Sequence, residues 1–344
     1  VILSRGVSVE TAANVERYLA HNFSYRDGET MERIVDLVTE SLAARNASPN
    51  TPLASPGRIS VPCSIVLPVD DVAPEALLAT LEAISTRSAP ELYEVLIVDC
   101  AMGQETKGML ASLGGDVRII SGKPNWGYGA ACNEAVKEAR GKYLAFLKPG
   151  LAPKHGWLEG WLDVAEKEFD FGVVGGQVLN KNGLLWHIGV AFDVNQSPFS
   201  IYRLLPREFS GALRQREFKA LEVPFLVSRE LFCRLGGFNP ALRNRFEDVD
   251  LCLAVKQAGL RVLYTPRSTM TRQVASWQPE PEQDRSSRIY FYSRWTGSLW
   301  QDDERYLKED GLTHDALSSL YRELAGRVAV GAGKVVLSAP AEVS

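Results

Sequence analysis

Two adjacent carboxylates, Glu247 and Asp248, stand at the start of a predicted helix, just downstream of the turn Gly236-Gly237-Phe238. The exposed N–H groups at a helix N-terminus carry partial positive charge, which favours the ionised carboxylate that can accept a proton. Two neighbouring carboxylates also disfavour the full ionisation of both, and this raises the proton affinity of one. The pair is therefore a candidate general base. Taken alone, the same run is equally typical of a solvated acidic first turn.

The residues upstream have the pattern of a parallel β-sheet covered by helices. Short apolar runs over residues 63–69, 93–99, 117–120 and 143–147 alternate with helical segments, of which residues 130–139 form one. Continuous apolar strands separated by helices are typical of a sheet that is buried on both faces. The predicted fold class is therefore α/β, with a nucleotide-binding half of the doubly wound type.

Several polar or conformationally special residues follow the predicted strands at one edge of that sheet. Pro68, Asp99 and Lys148 lie at the carboxyl ends of strands, where ligands bind in open α/β sheets. Asn125 and Gly127 belong to a glycine-containing loop that opens a helix and lets the backbone approach a ligand. Each feature also has a purely structural explanation, because an Asp after a strand often caps a helix and glycine-rich turns are often only turns.

Composition restricts the classes of function. The chain has 344 residues, of which 45% are hydrophobic and 23% charged, which is typical of a globular protein of about two domains. A net charge of -4 gives no basic surface for polymeric nucleic acid. No window is long and apolar enough for a membrane span.

Cysteine usage indicates a compartment. The five cysteines are scattered singly and form no Cys-x-x-Cys motif, so neither a disulfide framework nor a zinc site is predicted. The first residues carry no apolar signal core. Together these features predict a protein of the reducing cytoplasm. The chain begins with Val1 rather than Met, so additional domains in a longer protein are an open alternative.

The chain divides into three compositional stretches. Residues 1–57 predict a helical N-terminal extension that ends in a Pro-rich linker, residues 58–279 form the sheet-containing domain, and residues 280–344 form a helical C-terminal extension. The helical extensions can pack on the central domain, pair two subunits into a homo-oligomer or dock onto another domain. The sequence leaves these alternatives open.

In combination the motifs resemble family 2 glycosyltransferases, which have the GT-A fold, over about residues 60–276. The order and the spacing of the motifs carry the resemblance. A weaker similarity, to rhamnosyltransferase-like members, surrounds Trp295, Asp302 and Tyr306. The matched segments are Ser64-Ile65-Val66-Leu67-Pro68-Val69, Leu96-Ile97-Val98-Asp99, residues 125–133, residues 141–147, Gly175, Gly236-Gly237-Phe238 and Glu247-Asp248-Val249-Asp250-Leu251.

The resemblance implies transfer of a sugar from a nucleotide-sugar donor to a hydroxyl of a glycan, a lipid-linked acceptor or another acceptor, with inversion and without a covalent intermediate. It implies that Asp248 deprotonates the acceptor hydroxyl with Glu247 beside it, and that Asp99 accepts hydrogen bonds from the nucleobase or the ribose. The other donor-nucleotide contacts that it implies are Pro68, Val69, Asn125 and Gly127.

Two departures from the family pattern bear on a metal ion. Lys148-Pro149-Gly150 stands where relatives carry an Asp-x-Asp-type element, and Thr271-Arg272-Gln273 stands where many carry a metal-binding His. Lysine and arginine cannot ligate a hard divalent cation, so a bound Mg²⁺ or Mn²⁺ is not expected there. We hypothesise instead that Lys148, Arg272 or both neutralise the leaving diphosphate.

A third departure, Asp70-Asp71 in place of the family's aromatic-Asn pair, removes the usual base-stacking contact. The loss of metal ligands and of a stacking residue is also typical of a domain that no longer catalyses. The alternative function is therefore an inactive GT-A-fold module that binds a nucleotide-sugar or a protein. In that case Lys148 is an ordinary surface residue and Arg272 a loop residue.

His187 and Trp157 are further candidates for contacts with the sugar or the acceptor. His187 lies where related sequences often carry a histidine, although a packed structural role is an alternative. Trp157 and Trp161 lie four residues apart on a predicted helix, which is also typical of packing against a sheet. Residues 180–220 are predicted to be irregular and to cover the acceptor. Their basic residues either meet an acidic acceptor or form a solvated face: Arg203, Arg207, Arg214 and Arg216.

Overall fold

The structure is a computed structural model that describes residues 52–53, 59–70, 72–112, 117–124, 126–243, 245–273 and 281–330. The expected N-terminal helices lie outside this part of the chain. All but two residues of the expected Pro-rich linker lie outside it as well.

Strands and helices alternate through the first half of the described chain, as the apolar pattern predicts. The strands are β1 (Val61–Val69), β2 (Tyr93–Asp99), β3 (Val117–Ser121), β4 (Gly141–Phe146), β5 (Leu151–Pro153), β6 (Phe171–Leu179), β7 (Leu185–His187), β8 (Val190–Phe192), β9 (Pro198–Ser200), β10 (Arg216–Glu217), β11 (Phe225–Ser228) and β12 (Arg261–Arg272). The α-helices are α1 (Pro74–Arg87), α2 (Gln104–Ser112), α3 (Gly127–Glu138), α4 (Trp157–Lys167), α5 (Arg229–Arg234), α6 (Glu247–Gln257), α7 (Pro281–Trp295), α8 (Asp303–Glu309) and α9 (His314–Val330).

The strands form a sheet in the order β10-β12-β6-β11-β4-β1-β2-β3. Strands β4, β1, β2 and β3 are parallel to their neighbours, whereas β11 runs antiparallel to both β4 and β6. The parallel run brings the carboxyl ends of β1, β2 and β4 to one edge, where Val69 pairs with Asp99. The predicted α/β class is confirmed.

Apolar side chains cover both faces of the sheet. In β1, Val66 belongs to one buried cluster and its neighbours Ile65 and Leu67 belong to the other, because successive strand residues point to opposite faces. Helices α3 and α6 contribute to the first cluster, and helices α1 and α4 contribute to the second. A strand that is apolar at every position therefore has a helix layer on each side.

The C-terminal helices pack on the sheet domain. The indole N–H of Trp295 in α7 donates to Asp250 of α6 at 2.8 Å. Of the three arrangements open to the C-terminal extension, the structure shows packing on the central domain. Neither these helices nor the others in the described ranges are long and apolar enough to cross a membrane. The buried residues that these helices add to the cluster containing Phe146 of β4 are Phe291, Trp295, Tyr306, Leu307 and Leu324.

Residues 180–220 are mostly irregular, as the sequence predicts, but they contain four short strands. Strand β7 pairs with β6, β8 pairs with β9, and β10 pairs with β12. These strands account for 11 of the 41 residues of the segment. Each of these four strands has only two or three residues, which is too short to leave an alternating pattern in the sequence.

Candidate active site

The carboxylate pair begins helix α6, directly after Phe246, whose φ of 66° lies in the left-handed region. Asp248 Oδ1 accepts a hydrogen bond from the N–H of Val249 at 2.9 Å, and its Oδ2 accepts one from Val223 at 3.1 Å. Glu247 is only 1% exposed and Asp248 only 7%. The two residues are therefore not a solvated acidic turn, which was the alternative left open by the sequence.

Burial of the pair favours the protonated carboxyl. Burial and the neighbouring Asp248 raise the pKa of Glu247 to about 7. Burial likewise raises the pKa of Asp248, where Lys148 opposes the rise and Glu222 adds to it. Glu247 Oε2 has no hydrogen-bond partner among the described residues. The pair can therefore take up and release a proton near neutral pH, as a general base must.

Lys148 follows β4 and lies over the ring of Tyr128, with Nζ 4.7 Å from the ring centroid. The Tyr128 hydroxyl donates to the last carbonyl before Lys148, at 3.1 Å. The lysine side chain is exposed, yet it is surrounded closely enough for burial to affect it, as expected on the floor of an open cleft. Burial alone would lower its pKa, but Glu247, Asp248 and Glu222 outweigh this and raise it. Lys148 is therefore a cation that faces the carboxylate pair.

The end of β12 brings Arg272 to the same edge of the sheet. Strand β12 pairs there with β5, and the N–H of Gln273 donates to the carbonyl of Gly150 at 2.7 Å. Gly150 lies two residues after Lys148. The guanidinium of Arg272 stacks on Trp186, 3.7 Å from the ring centroid. The structure thus brings together the two cations that the sequence analysis placed at the diphosphate.

A third cation, Arg203, joins them, although the sequence indicated it only as one of several basic residues in a loop. Its guanidinium lies 3.3 Å from the centroid of Trp186, so that one indole carries two arginines. Tyr202 and Leu204 on either side have φ values of 60° and 70°. Left-handed conformations cost energy in residues other than glycine. The fold therefore maintains a strained turn that holds Arg203 against Trp186, and no spacing in the sequence signals that turn.

Lys148, Arg203 and Arg272 form no hydrogen bond or ion pair with any residue in the described ranges. An aromatic contact occupies one face of a cation but leaves its N–H groups available to an anion. The carboxylate of Glu222, which the sequence analysis did not single out, influences the pKa of all three cations. The site therefore combines three cations whose N–H groups are available to an anion with a buried carboxylate pair.

His187 is 2% exposed and uses both of its ring nitrogens. Its Nε2 accepts the N–H of Glu222 at 3.1 Å, and its Nδ1 lies 3.4 Å from Ser200 Oγ. The Ser200 hydroxyl in turn donates to Glu222 Oε1 at 2.8 Å. Burial lowers the pKa of His187, and an accepting Nε2 places the proton of the neutral ring on Nδ1. The expected contact of His187 with sugar or acceptor is therefore contradicted, and its role is structural.

Trp157 is 0% exposed, so the expected contact with a sugar or an acceptor is wrong. Its indole N–H donates to Ser88 Oγ at 2.8 Å, and its ring centroid lies 5.2 Å from that of Trp161. Both tryptophans belong to the apolar cluster on the other face of the sheet from α6. The apolar side of α4 buries them, which is the packing role that the sequence left as the alternative.

Asp99, at the end of β2, is engaged in its own loop. Its Oδ1 accepts the N–H groups of Ala101 at 3.1 Å and Met102 at 2.8 Å, and its Oδ2 pairs with Lys107 at 2.9 Å. Burial acts to raise its pKa, but the hydrogen bonds from Lys107 and from the two N–H groups outweigh burial and lower it. Asp99 thus accepts hydrogen bonds in a turn, and its contact with a nucleotide stays a prediction.

The other predicted nucleotide contacts lie beside Asp99. Pro68 is half-buried at the end of β1, whereas Val69 is 0% exposed and can offer only its backbone. Gly127 begins α3 with a φ of 73°, a conformation that favours glycine. Asn125 lies outside the described residues. The donor-nucleotide roles of these residues also stay predictions.

Close packing joins the first turn of α3 to the first turn of α6. A Cβ added to Gly129 would lie 2.9 Å from Phe238 Cβ and 3.5 Å from Glu247 Cβ. Asn133 of α3 both donates to the carbonyl of Phe238, at 2.7 Å, and accepts its N–H, at 2.9 Å. The glycine-containing loop found in the sequence therefore positions the carboxylate pair.

The residues present do not fit a divalent metal at its expected place. Lys148 and Arg272 occupy the two positions to which the resemblance assigns metal ligands, and neither offers a lone pair to a hard cation. Among the described residues, no group of three or more His, Cys, Asp or Glu side chains is arranged to hold a metal ion.

Similarity to known proteins extends over most of the described chain. The family model for glycosyl transferase family 2 matches residues 64–216. The chain is 26% identical over 290 residues to uncharacterized protein y4gI of Sinorhizobium fredii, covering 80% of this chain and 30% of that protein. It is 26% identical over 310 residues to the O-antigen biosynthesis protein RfbC of Myxococcus xanthus, covering 86% and 23%. It is 27% identical over 161 residues to the pre-mycofactocin glycosyltransferase of Mycobacterium tuberculosis, covering 44% and 31%.

The chain therefore spans less than a third of the length of each of these relatives. Among solved structures, the crystal structure of GalNAc-T7 with UDP, GalNAc and Mn²⁺ is similar with a TM-score of 0.54 and 14% identity, covering 78% of this chain and 57% of that one. At this identity the similarity establishes the fold, which is the GT-A fold. The chain thus combines this fold with a match to the family model for glycosyl transferase family 2 that runs from β1 to the start of β10.

Proposed function

We propose that the chain is an active glycosyltransferase that moves a sugar from a nucleotide-sugar to an acceptor hydroxyl with inversion, and that side-chain cations replace a metal ion at the diphosphate. One observation supports this above all. Lys148, Arg203 and Arg272 have no ion-pair partner among the described residues and all lie near Glu222, and Lys148 also lies near the buried Asp248. An inactive scaffold has no need for three unpaired cations next to a buried carboxylate pair.

In the proposed reaction the acceptor oxygen attacks the anomeric carbon while its proton passes to Asp248. The bond between that carbon and the diphosphate oxygen breaks, and its electron pair leaves with the diphosphate. Negative charge therefore grows on the diphosphate, where cations that are already in place stabilise it. Arg203 and Arg272 present their N–H groups from one indole, and paired guanidinium groups suit phosphate oxygens. Lys148 supplies the third positive charge.

The proposed donor lies across the ends of β1 and β2, near Pro68, Asp99 and Gly127. The proposed acceptor is a hydroxyl of a glycan or glycoconjugate, by analogy with relatives named an O-antigen biosynthesis protein and a pre-mycofactocin glycosyltransferase. We also propose a cytoplasmic location, which the five free cysteines support.

The test is nucleotide release from UDP-, TDP- and GDP-sugars, with a panel of glycans and lipid-linked glycans as acceptors, with and without EDTA. We expect turnover that survives chelation. Asp248→Asn should lower it by roughly 10²–10⁴-fold, the usual cost of losing a general base, while nucleotide binding persists. Asp315→Asn, on the exposed surface of α9, is the matched control and should leave turnover unchanged.

Three outcomes would contradict parts of this proposal. Strict dependence on Mn²⁺ or Mg²⁺ would remove the cations from the role given to them. Normal turnover in Asp248→Asn would remove Asp248 from the mechanism. Nucleotide affinity without turnover for any acceptor in the panel would indicate the inactive binding module instead.

A further inference from the structure

Glu222 is an acidic residue in the cleft that the proposed reaction does not use. Its side chain is 40% exposed. It directly precedes Val223, whose N–H holds Asp248, and its carboxylate influences the pKa of all three unpaired cations. Glu222 is therefore adjacent in the chain to the residue that holds the candidate base, and it lies close enough to the three cations to affect their pKa values.

Two neighbours position Glu222, one through its carboxylate and the other through its backbone. Ser200 donates to Glu222 Oε1 at 2.8 Å, and His187 Nε2 accepts the Glu222 N–H at 3.1 Å. Glu222 Oε2 lies 4.0 Å from His187 Nδ1 and accepts no hydrogen bond from a residue in the described ranges. A carboxylate that is held on one oxygen and free on the other is ready to accept a hydrogen bond from a ligand.

The position of the transferred sugar follows from the two groups that act on it. Its anomeric carbon is joined to the diphosphate at the cations and is attacked by the oxygen that Asp248 deprotonates. The sugar must therefore lie between these groups, on the same side of the cleft as Glu222. Sugar hydroxyls are hydrogen-bond donors, and a fixed carboxylate is a strong acceptor for them.

We propose that Glu222 determines the specificity for the donor sugar, with its free Oε2 accepting a hydrogen bond from a hydroxyl of the transferred sugar. This inference rests on the proposed function, since it requires a nucleotide-sugar in the cleft. The negative charge of Glu222 has a second effect. It weakens the attraction of the cations for a nucleoside diphosphate without a sugar, so Glu222 favours the donor over the free nucleotide product.

Glu222 should strengthen the binding of the nucleotide-sugar and weaken the binding of the free nucleoside diphosphate. A binding experiment on the full chain separates these two effects. We would measure the Kd of UDP, TDP and GDP and of their sugar conjugates by calorimetry, for wild type and Glu222→Gln. The glutamine keeps an oxygen for the Ser200 hydroxyl but removes the charge. It should bind the free nucleoside diphosphate about two- to fivefold more tightly. The ratio of the Kd of the free nucleotide to that of the nucleotide-sugar should fall about tenfold or more.

Glu222→Asp is the matched control, because it keeps the charge and withdraws the carboxylate by one methylene. It should leave the Kd of the free nucleotide within about twofold of wild type and still lower the ratio. Thermal unfolding of both variants checks that they are folded.

Other results would overturn the inference. Equal shifts of both Kd values in Glu222→Gln, or no shift in either, would show that Glu222 does not contact the sugar. A normal ratio with a raised KM for the acceptor would assign Glu222 to the acceptor instead. A wild-type chain that binds none of these nucleotides would contradict the proposed function itself. If the wild type binds them and the variants do not change the ratio, only the role of Glu222 is contradicted.

Discussion

The raised pKa values of Glu247 and Asp248 should make the rate depend on pH. Asp248 accepts a proton only when it is ionised, and burial keeps it protonated to a higher pH than an exposed aspartate. Since Glu247 has a pKa of about 7, we expect kcat/KM to rise as the pH increases through neutrality and then to level off. A pH profile from about pH 5 to pH 9 measures this limb. A profile that is flat down to pH 5 would exclude a buried base.

Lys148→Met should move this acidic limb to higher pH. Burial raises the pKa of both carboxyls and the Lys148 cation partly offsets the rise, so removing the cation raises both pKa values further. Methionine retains the apolar contact with Tyr128. Lys154→Met, at an exposed position, is the control. If the variant reacts more slowly but the acidic limb of its pH profile stays at the same pH, Lys148 acts on the diphosphate alone.

Glu247 should also make stability depend on pH. Its folded-state pKa is raised from 4.5 to about 7, so its contribution to the free energy of unfolding is fully present below pH 4.5 and is lost as the pH rises through about 7. Glu247→Gln cannot ionise, so its stability relative to wild type should increase from about pH 5 to pH 8 by roughly 1–3 kcal/mol. Urea unfolding measures the difference. Glu159→Gln, at an exposed position on α4, is the matched control.

Sequence patterns could identify those site residues that lie next to a recognisable strand end, turn or helix start. Glu247 and Asp248 follow a glycine turn and begin a helix, Lys148 follows a strand, and Arg272 ends one. Strand ends on one side of a parallel sheet meet in space, so their convergence could be predicted. Their chemical roles could be hypothesised only through the resemblance.

The remaining residues of the site could not be predicted in this way. Arg203 owes its position to two left-handed residues beside it, and Glu222 owes its position to hydrogen bonds with short strands that leave no periodic pattern. The ligand contacts expected of His187, from its place in related sequences, and of Trp157, from its residue type, depend on whether burial lets these side chains reach a ligand. Burial at single positions depends on packing between distant segments.

At the scale of elements, the contact between α3 and α6 positions the base. A Cβ at Gly129 would lie 2.9 Å from Phe238 Cβ, so Gly129→Ala should separate the two helices, destabilise the protein by about 1–3 kcal/mol and slow turnover. Gly108→Ala on α2 is the matched control. No atom lies within 4 Å of its added Cβ, and it should stabilise by about 0.5–1 kcal/mol through helix propensity. If thermal unfolding shows that Gly129→Ala and Gly108→Ala stabilise the protein equally, the contact between Gly129 and Phe238 adjusts to the added methyl group without cost.

Element length explains which strands the sequence could reveal. The runs that predict β1, β2, β3 and β4 are strands of five to nine residues, long enough for their composition to stand out. Strands β7 to β10 have two or three residues each, and pairing with distant strands specifies them. The segment that contains β7 to β10 is therefore the least predictable part of the domain.

At the scale of the whole molecule, the C-terminal helices support the cation site as well as the core. The side chain of Asp310, just after α8, is 0% exposed and pairs with Arg216 at 2.7 Å. It also accepts hydrogen bonds from Arg214 and from the hydroxyl of Tyr202. Tyr202 immediately precedes Arg203, so the end of α8 anchors the strained turn. An amphipathic pattern can predict such helices but not the surface on which they pack, which is why the sequence left three arrangements open.

Asp310→Ala should therefore affect both stability and donor binding. It leaves the buried Arg216 with one carboxylate fewer, which should cost about 3–5 kcal/mol, and it frees the Tyr202 hydroxyl beside Arg203, which should weaken nucleotide affinity several-fold. Glu309→Ala is the matched control, because Glu309 also pairs with Arg216, at 2.6 Å, but is 46% exposed and does not contact Tyr202. It should cost less stability and leave nucleotide affinity unchanged. Urea unfolding and calorimetric titration with a nucleoside diphosphate measure the two effects. If both variants bind the nucleotide equally well, the C-terminal helices stabilise the fold without supporting the site.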